Sequence, residues 1–182
     1  MFNIFKELQI ASQNFKKDLE LKGEIRIIKD PDAELKKLGI ENIEIVKLPS
    51  NDGNWDNKNT QYNGKKKRIE VNPEYDIELD ENKEVLHEKC HVILNALGFA
   101  NKANRFGRYT YPSNPLERIA YTTQFYHLLK TGKTPDEIRN NKSLKEHFYI
   151  HSKKLNAYLE RATEEYTKDL IQEQILKQSI EK

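Results

Sequence analysis

Residues 87–91 read His-Glu-Lys-Cys-His, an HExxH pattern. On a helix, His87 and His91 are four residues apart and project from one face. Two imidazoles so placed can hold one Zn²⁺ ion. Glu88, next in sequence, is not needed as a ligand. It is free to take a proton from a metal-bound water that attacks a carbonyl. The chemistry this spacing predicts is metal-assisted hydrolysis, with Glu88 as general base.

The helix that carries the motif must be apolar enough to be largely buried. Val85, Leu86, Val92, Ile93, Ala96 and Leu97 give it wide apolar coverage, more than a surface helix needs. The expected helix spans 81–97, with Asp80 as N-cap and Gly98 as the residue that ends it. Two imidazoles and a carboxylate on such a helix are costly without partners. A metal is one such partner, and ordinary hydrogen bonding in a core is the other.

A catalytic zinc needs a third protein ligand and an open position. The candidates are His127, His147, His151 and the downstream carboxylates. Glu117 is favoured, because it opens an apolar helix in Asn114-Pro-Leu-Glu-Arg-Ile-Ala-Tyr and has a small residue, Ala120, one turn on. The competing role for Glu117 is structural. Asn114 as N-cap, Pro115 at N1 and Glu117 at N3 form a capping-box pattern. The same pattern recurs at Thr134-Pro-Asp-Glu, where nothing suggests a metal. His147 and His151 are a second pair four apart, without an adjacent Glu and on a Lys-rich helix, and read as solvated. His127, beside Leu128 and Leu129, reads as packed or hydrogen-bonded.

The remaining pattern is that of an α+β chain, with strands grouped before helices. An amphipathic helix is expected at 3–20, strand-like runs at 24–28 and 43–48, and a short helix at 31–38. Residues 49–66 read as a polar loop or long hairpin with a turn at Asn63-Gly64. Residues 67–71 alternate as a half-buried strand does. As the last strand before the motif helix, they are expected to form an edge along which an extended peptide could lie. Helices follow at 115–131, 135–140 and 142–178. Residues 1–141 read as the catalytic domain and 142–182 as a helical extension packed on it. The first half of that extension is expected to pack. Its second half is open to a partner or a second copy.

Within these elements, residues 67–130 resemble the small gluzincin metallopeptidases, most closely the ImmA/IrrE type. The likeness rests on Arg68-Ile-Glu-Val-Asn-Pro, Glu84-Val-Leu-His-Glu-Lys-Cys-His-Val-Ile-Leu and Asn114-Pro-Leu-Glu-Arg-Ile-Ala-Tyr. The resemblance implies a zincin-like fold and a zinc-dependent peptidase. His87, His91 and Glu117 would be its ligands and Glu88 its base. Two features depart from the pattern. Tyr121 stands where many relatives carry an Asp or Asn that can orient a zinc-bound His. Lys89 and Cys90 replace small or apolar residues between the two His. Tyr109, Tyr111 and Tyr121 are the candidate donors to the oxyanion of a tetrahedral intermediate.

Bulk properties narrow the partners. The chain has 182 residues, 33% charged and 36% apolar, and its 31 Lys+Arg nearly cancel 29 Asp+Glu. A net charge of +2 gives no pull towards nucleic acid or an anionic membrane. The basic run at 65–68 reads as a solvated strand end. The polar stretch from Asp52 to Asn57 reads as a plain loop rather than a calcium site. One cysteine excludes an internal disulfide, and no segment has a signal-peptide or membrane-span pattern, so a cytoplasmic setting is expected. The expected partner is a protein or peptide substrate. The alternatives are a peptidase dedicated to one partner, such as a repressor, and a non-catalytic interaction protein on the same scaffold.

Overall fold

The computed structural model describes residues 27–48, 59–78, 83–99, 115–148 and 152–180. The expected helix at 3–20, the stretch around Asp52, Asp80, Tyr109, Tyr111, Asn114 and His151 lie outside them, as does the His147 side chain. The described elements form an α+β structure in which helices dominate a small mixed sheet.

Helix α1 (Pro31–Lys37) shows how local chemistry sets the elements. The Asp30 side chain accepts from the Ala33 N–H, Pro31 fixes the first turn, and Gly39 turns the chain at φ +72°. Ile27 and Ile28 precede it in irregular conformation, so the strand expected to end there does not include them. The Ile28 N–H is satisfied by the Thr123 hydroxyl instead of a neighbouring strand.

Strands β1 (Ile45–Lys47), β2 (Thr60–Asn63) and β3 (Arg68–Val71) make a sheet in the order β1-β3-β2. β1 runs parallel to β3, pairing Ile45 with Ile69 and Lys47 with Val71. β2 runs antiparallel to it, pairing Thr60 with Val71 and Asn63 with Arg68. The expectation that β3 is an edge is therefore wrong. The hairpin in 49–66 adds β2 outside it, and among the described residues β2 is the edge nearest the motif helix. The turn follows Asn63, whose side chain accepts from the Lys66 N–H. The left-handed residue in it is Lys67 at φ 54°, not Gly64. Ile69 and Val71 point into the core, while Glu70 on the other face is buried among Gln61, Asn63 and Arg68.

Helix α2 (Glu84–Ala96) carries the motif. It begins after Lys83, which sits at φ 56° and makes no side-chain cap. It ends as expected at Gly98, at φ +81°. Val85, Cys90, Val92, Ile93 and Leu94 are buried, whereas Leu97 is exposed.

Helix α3 (Pro115–Lys130) is the central element. Leu116, Ile119, Ala120 and most residues from Tyr121 to Leu129 are buried. One side of α3 joins the core formed by the sheet, α1 and α2. Its other side joins a second core with the later helices. An apolar surface on both sides is what a helix between two layers requires.

Helices α4 (Pro135–Asn140), α5 (Lys142–His147) and α6 (Ser152–Ile180) complete the second layer. The capping box at Thr134 and Glu137 is present. The single helix expected over 142–178 is broken: α5 ends at Phe148 and α6 begins at Ser152. The break lets Leu144 and Phe148 enter the same core as Leu155, Tyr158 and Leu159. The first half of α6 packs on α3, and Leu170, Ile171, Ile175, Leu176 and Ile180 of its second half are exposed. No described helix is long and apolar enough to cross a membrane.

Candidate metal centre

The two layers meet where the start of α3 passes the middle of α2, and this crossing builds the site. His87 and His91 emerge from one face of α2, with their Nε2 atoms 3.1 Å apart. Glu117, on the first turn of α3, divides its carboxylate between them. Its Oε2 is 3.2 Å from His87 Nε2 and its Oε1 is 3.4 Å from His91 Nε2. A capping role does not account for that orientation.

The dimensions suit an ion. A tetrahedral centre with donors about 2.0–2.2 Å away has donor–donor edges of about 3.3–3.6 Å. The 3.4 Å separation lies in that range and the 3.1 and 3.2 Å separations are slightly shorter, and the donor atoms all fall within 4.8 Å of one another. Among the described residues, two imidazoles and one carboxylate supply three donors, the number a metal centre with an open position uses. This His-His-Glu group could therefore hold a metal ion.

The metal-free electrostatics are those of a compact ion pair. Burial disfavours a charged His91, but the Glu117 carboxylate beside it outweighs burial and raises the His91 pKa to about 9. Burial likewise pushes the Glu117 carboxyl up, and the two imidazoles more than reverse this, holding it well below the usual carboxylate range. Cys90, one turn from His87 and fully buried, has its thiol pushed up to about 12 by desolvation. It is inert packing rather than a ligand.

Glu88 is buried and turns towards the sheet. Its Oε2 accepts the backbone N–H of Tyr62 at 2.6 Å, and its Oε1 is 3.5 Å from the Thr60 hydroxyl. The Asn72 N–H bond to the Asn59 carbonyl sets which β2 residues face β3. Backbone groups alternate along a strand, so those of Thr60 and Tyr62 point outward, and the outer edge of β2 borders Glu88.

Tyr121 is 5% exposed and packs its ring against His87, with centroids 4.3 Å apart. It also meets Phe148 and Tyr158. Its place is in the aromatic core. The outer support of His87 comes from a residue that sequence reasoning passed over. Gln124 Oε1 lies 3.1 Å from His87 Nδ1, and both side chains are buried. The signal was available, because Gln124 follows Glu117 by seven residues and is a polar side chain on an otherwise buried face. His127 lies in the last turn of α3, and burial lowers its pKa. It is no part of the His-His-Glu group.

Comparison with protein-family models, with curated proteins and with solved structures found no match.

Proposed function

We propose that this chain is a zinc-dependent peptidase of gluzincin type, zincin-like in fold, that hydrolyses peptide bonds. The observation that carries the reading is that donor atoms of His87, His91 and Glu117 lie within 4.8 Å of one another, beside an HExxH carboxylate. Its His₂Glu composition favours zinc among divalent ions.

When bound there, zinc would lower the pKa of water towards about 7 and polarise a substrate carbonyl. The side chains supply the rest. Glu88 acts as general base and then passes the proton to the leaving amine. Its Oε2 is fixed by the Tyr62 N–H, which leaves Oε1, with only a long contact to Thr60, as the proton-accepting atom. With the Tyr62 N–H held by Glu88, the outward backbone groups of Thr60 and the Tyr62 carbonyl offer an extended peptide a strand to pair with, so the substrate edge is β2.

The test is Glu88→Gln, assayed by zinc content and by cleavage of unstructured protein substrates. The expected result is retained zinc with cleavage reduced about 100-fold or more. Zinc retained with cleavage unchanged would overturn the mechanism. Zinc binding by a wild-type chain that cleaves neither generic substrates nor a partner would point to a non-catalytic role on this scaffold.

A further inference from the structure

Three residues of α3 on one helical face enclose the ring of His87. Glu117, Tyr121 and Gln124 stand at i, i+4 and i+7, the spacing that lines up side chains on one face of a helix. Glu117 meets Nε2 at 3.2 Å, the Tyr121 ring lies against the imidazole, and Gln124 Oε1 meets Nδ1 at 3.1 Å. We propose that Gln124 is a positioning residue that fixes the tautomer and orientation of His87, and so sets the affinity of the centre for its metal. This rests on the reading of His87, His91 and Glu117 as a metal site.

A neutral imidazole carries one N–H, and its position decides which nitrogen can bind a metal. An amide oxygen only accepts. Facing Nδ1, it holds the proton there through an Nδ1–H to Oε1 hydrogen bond, leaving the Nε2 lone pair for a metal or, without one, for an N–H donated by His91 Nε2 at 3.1 Å. His87 is 5% exposed and Gln124 is 2% exposed, so water does not readily replace the amide. Losing this acceptor would leave a buried N–H unpaired or let the proton move to Nε2, where it blocks the ligand. The supporting group is also uncharged. A carboxylate in the same place would make His87 a stronger donor and offset one more charge of a divalent ion.

The experiment has two readouts. Zinc and cobalt affinities are measured by competition with a chromogenic chelator for wild type, Gln124→Met and Gln124→Glu. The His87 tautomer is read in the metal-free protein from long-range ¹⁵N–¹H NMR correlations. Gln124→Met, similar in size but without the acceptor, is expected to weaken both metals by about 10–100-fold. Gln124→Glu is expected to restore wild-type affinity or exceed it, and wild-type His87 is expected to carry its proton on Nδ1. A folded Gln124→Met chain binding zinc within twofold of wild type would overturn the proposal, as would a wild-type His87 protonated on Nε2. If Gln124→Met fails to fold, the Gln124→Glu affinity and the wild-type tautomer still decide. If the wild-type chain binds neither metal, the metal-site reading fails, and the tautomer judges the positioning role alone.

Discussion

The backbone N–H of Tyr62 donates to Oε2 of Glu88 across 2.6 Å, joining the outer edge of the sheet to the motif helix. The carboxylate that is free of ligand duty is thus also a structural acceptor, since it satisfies a strand N–H that no neighbouring strand pairs with among the described residues. Function and fold share one side chain here.

That sharing makes a prediction about stability. Glu88→Gln keeps an amide oxygen able to accept from Tyr62, whereas Glu88→Leu removes the acceptor and leaves the N–H unmet. A half-buried unsatisfied donor costs about 1–3 kcal/mol. The Leu variant is therefore expected to be less stable than the Gln variant by about 1 kcal/mol or more, measured by urea unfolding of the metal-free proteins. Equal midpoints and slopes for the two would show that the Tyr62 contact contributes nothing.

A second prediction concerns pH. In the metal-free protein the His91 pKa is raised from its ordinary 6.5 to about 9 by Glu117, against the opposing effect of burial. A raised pKa in the folded state gives stability that is fully present below about 6.5 and lost as pH climbs through about 9. Glu117 is shifted the other way, downward from 4.5, so its contribution is present above that value and lost as pH falls through its lower folded pKa. The pair therefore stabilises the metal-free chain most between those limits. A metal competes with the His91 proton, so affinity should rise over the range in which the ion pair is lost. Melting curves with and without zinc from pH 6 to 9 should diverge as pH increases, and Glu117→Gln should flatten the slope of the metal-free curve. A gap between the curves that is constant with pH would contradict the proton competition.

Much of this site was written in local pattern. The four-residue His spacing, the Gly98 stop and the capping box at Thr134 all depend on neighbours within one or two turns, whereas Glu117 meets His91 on another helix, 26 positions earlier. What escaped depends on distant contacts. β2 is a short polar segment whose strand character comes from pairing with β3, so it read as a polar loop or long hairpin and β3 read as an edge. The break before Ser152 has no proline or glycine to mark it. It follows from Phe148 having to meet Tyr121 and Tyr158 in one core. Gln124 looked like one polar residue in an apolar helix until His87, 37 positions earlier, was found against it.

Position 121 supplies the last prediction, because sequence pattern and packing disagree about it. On the proposed gluzincin reading, many similar peptidases carry an Asp or Asn there, and the Asp can orient a zinc-bound imidazole. The structure fills the position with an aromatic ring between His87 and the second core, 4.7 Å from Phe148 and 5.9 Å from Phe125 by ring centroids. Tyr121→Asp should therefore fail as a restoration. It removes a buried ring, at about 3–5 kcal/mol, and places an ionised carboxylate among apolar side chains. Tyr121→Phe keeps the ring and should cost no more than about 1.5 kcal/mol, the net worth of one hydrogen bond. Because Gln124 already holds Nδ1, metal affinity in the Phe variant should stay within a few-fold of wild type. Thermal melts and chelator competition on both variants check this. A stable Tyr121→Asp chain with tightened zinc binding would mean that His87 can be supported from position 121 after all, and that the aromatic ring there is dispensable to the core.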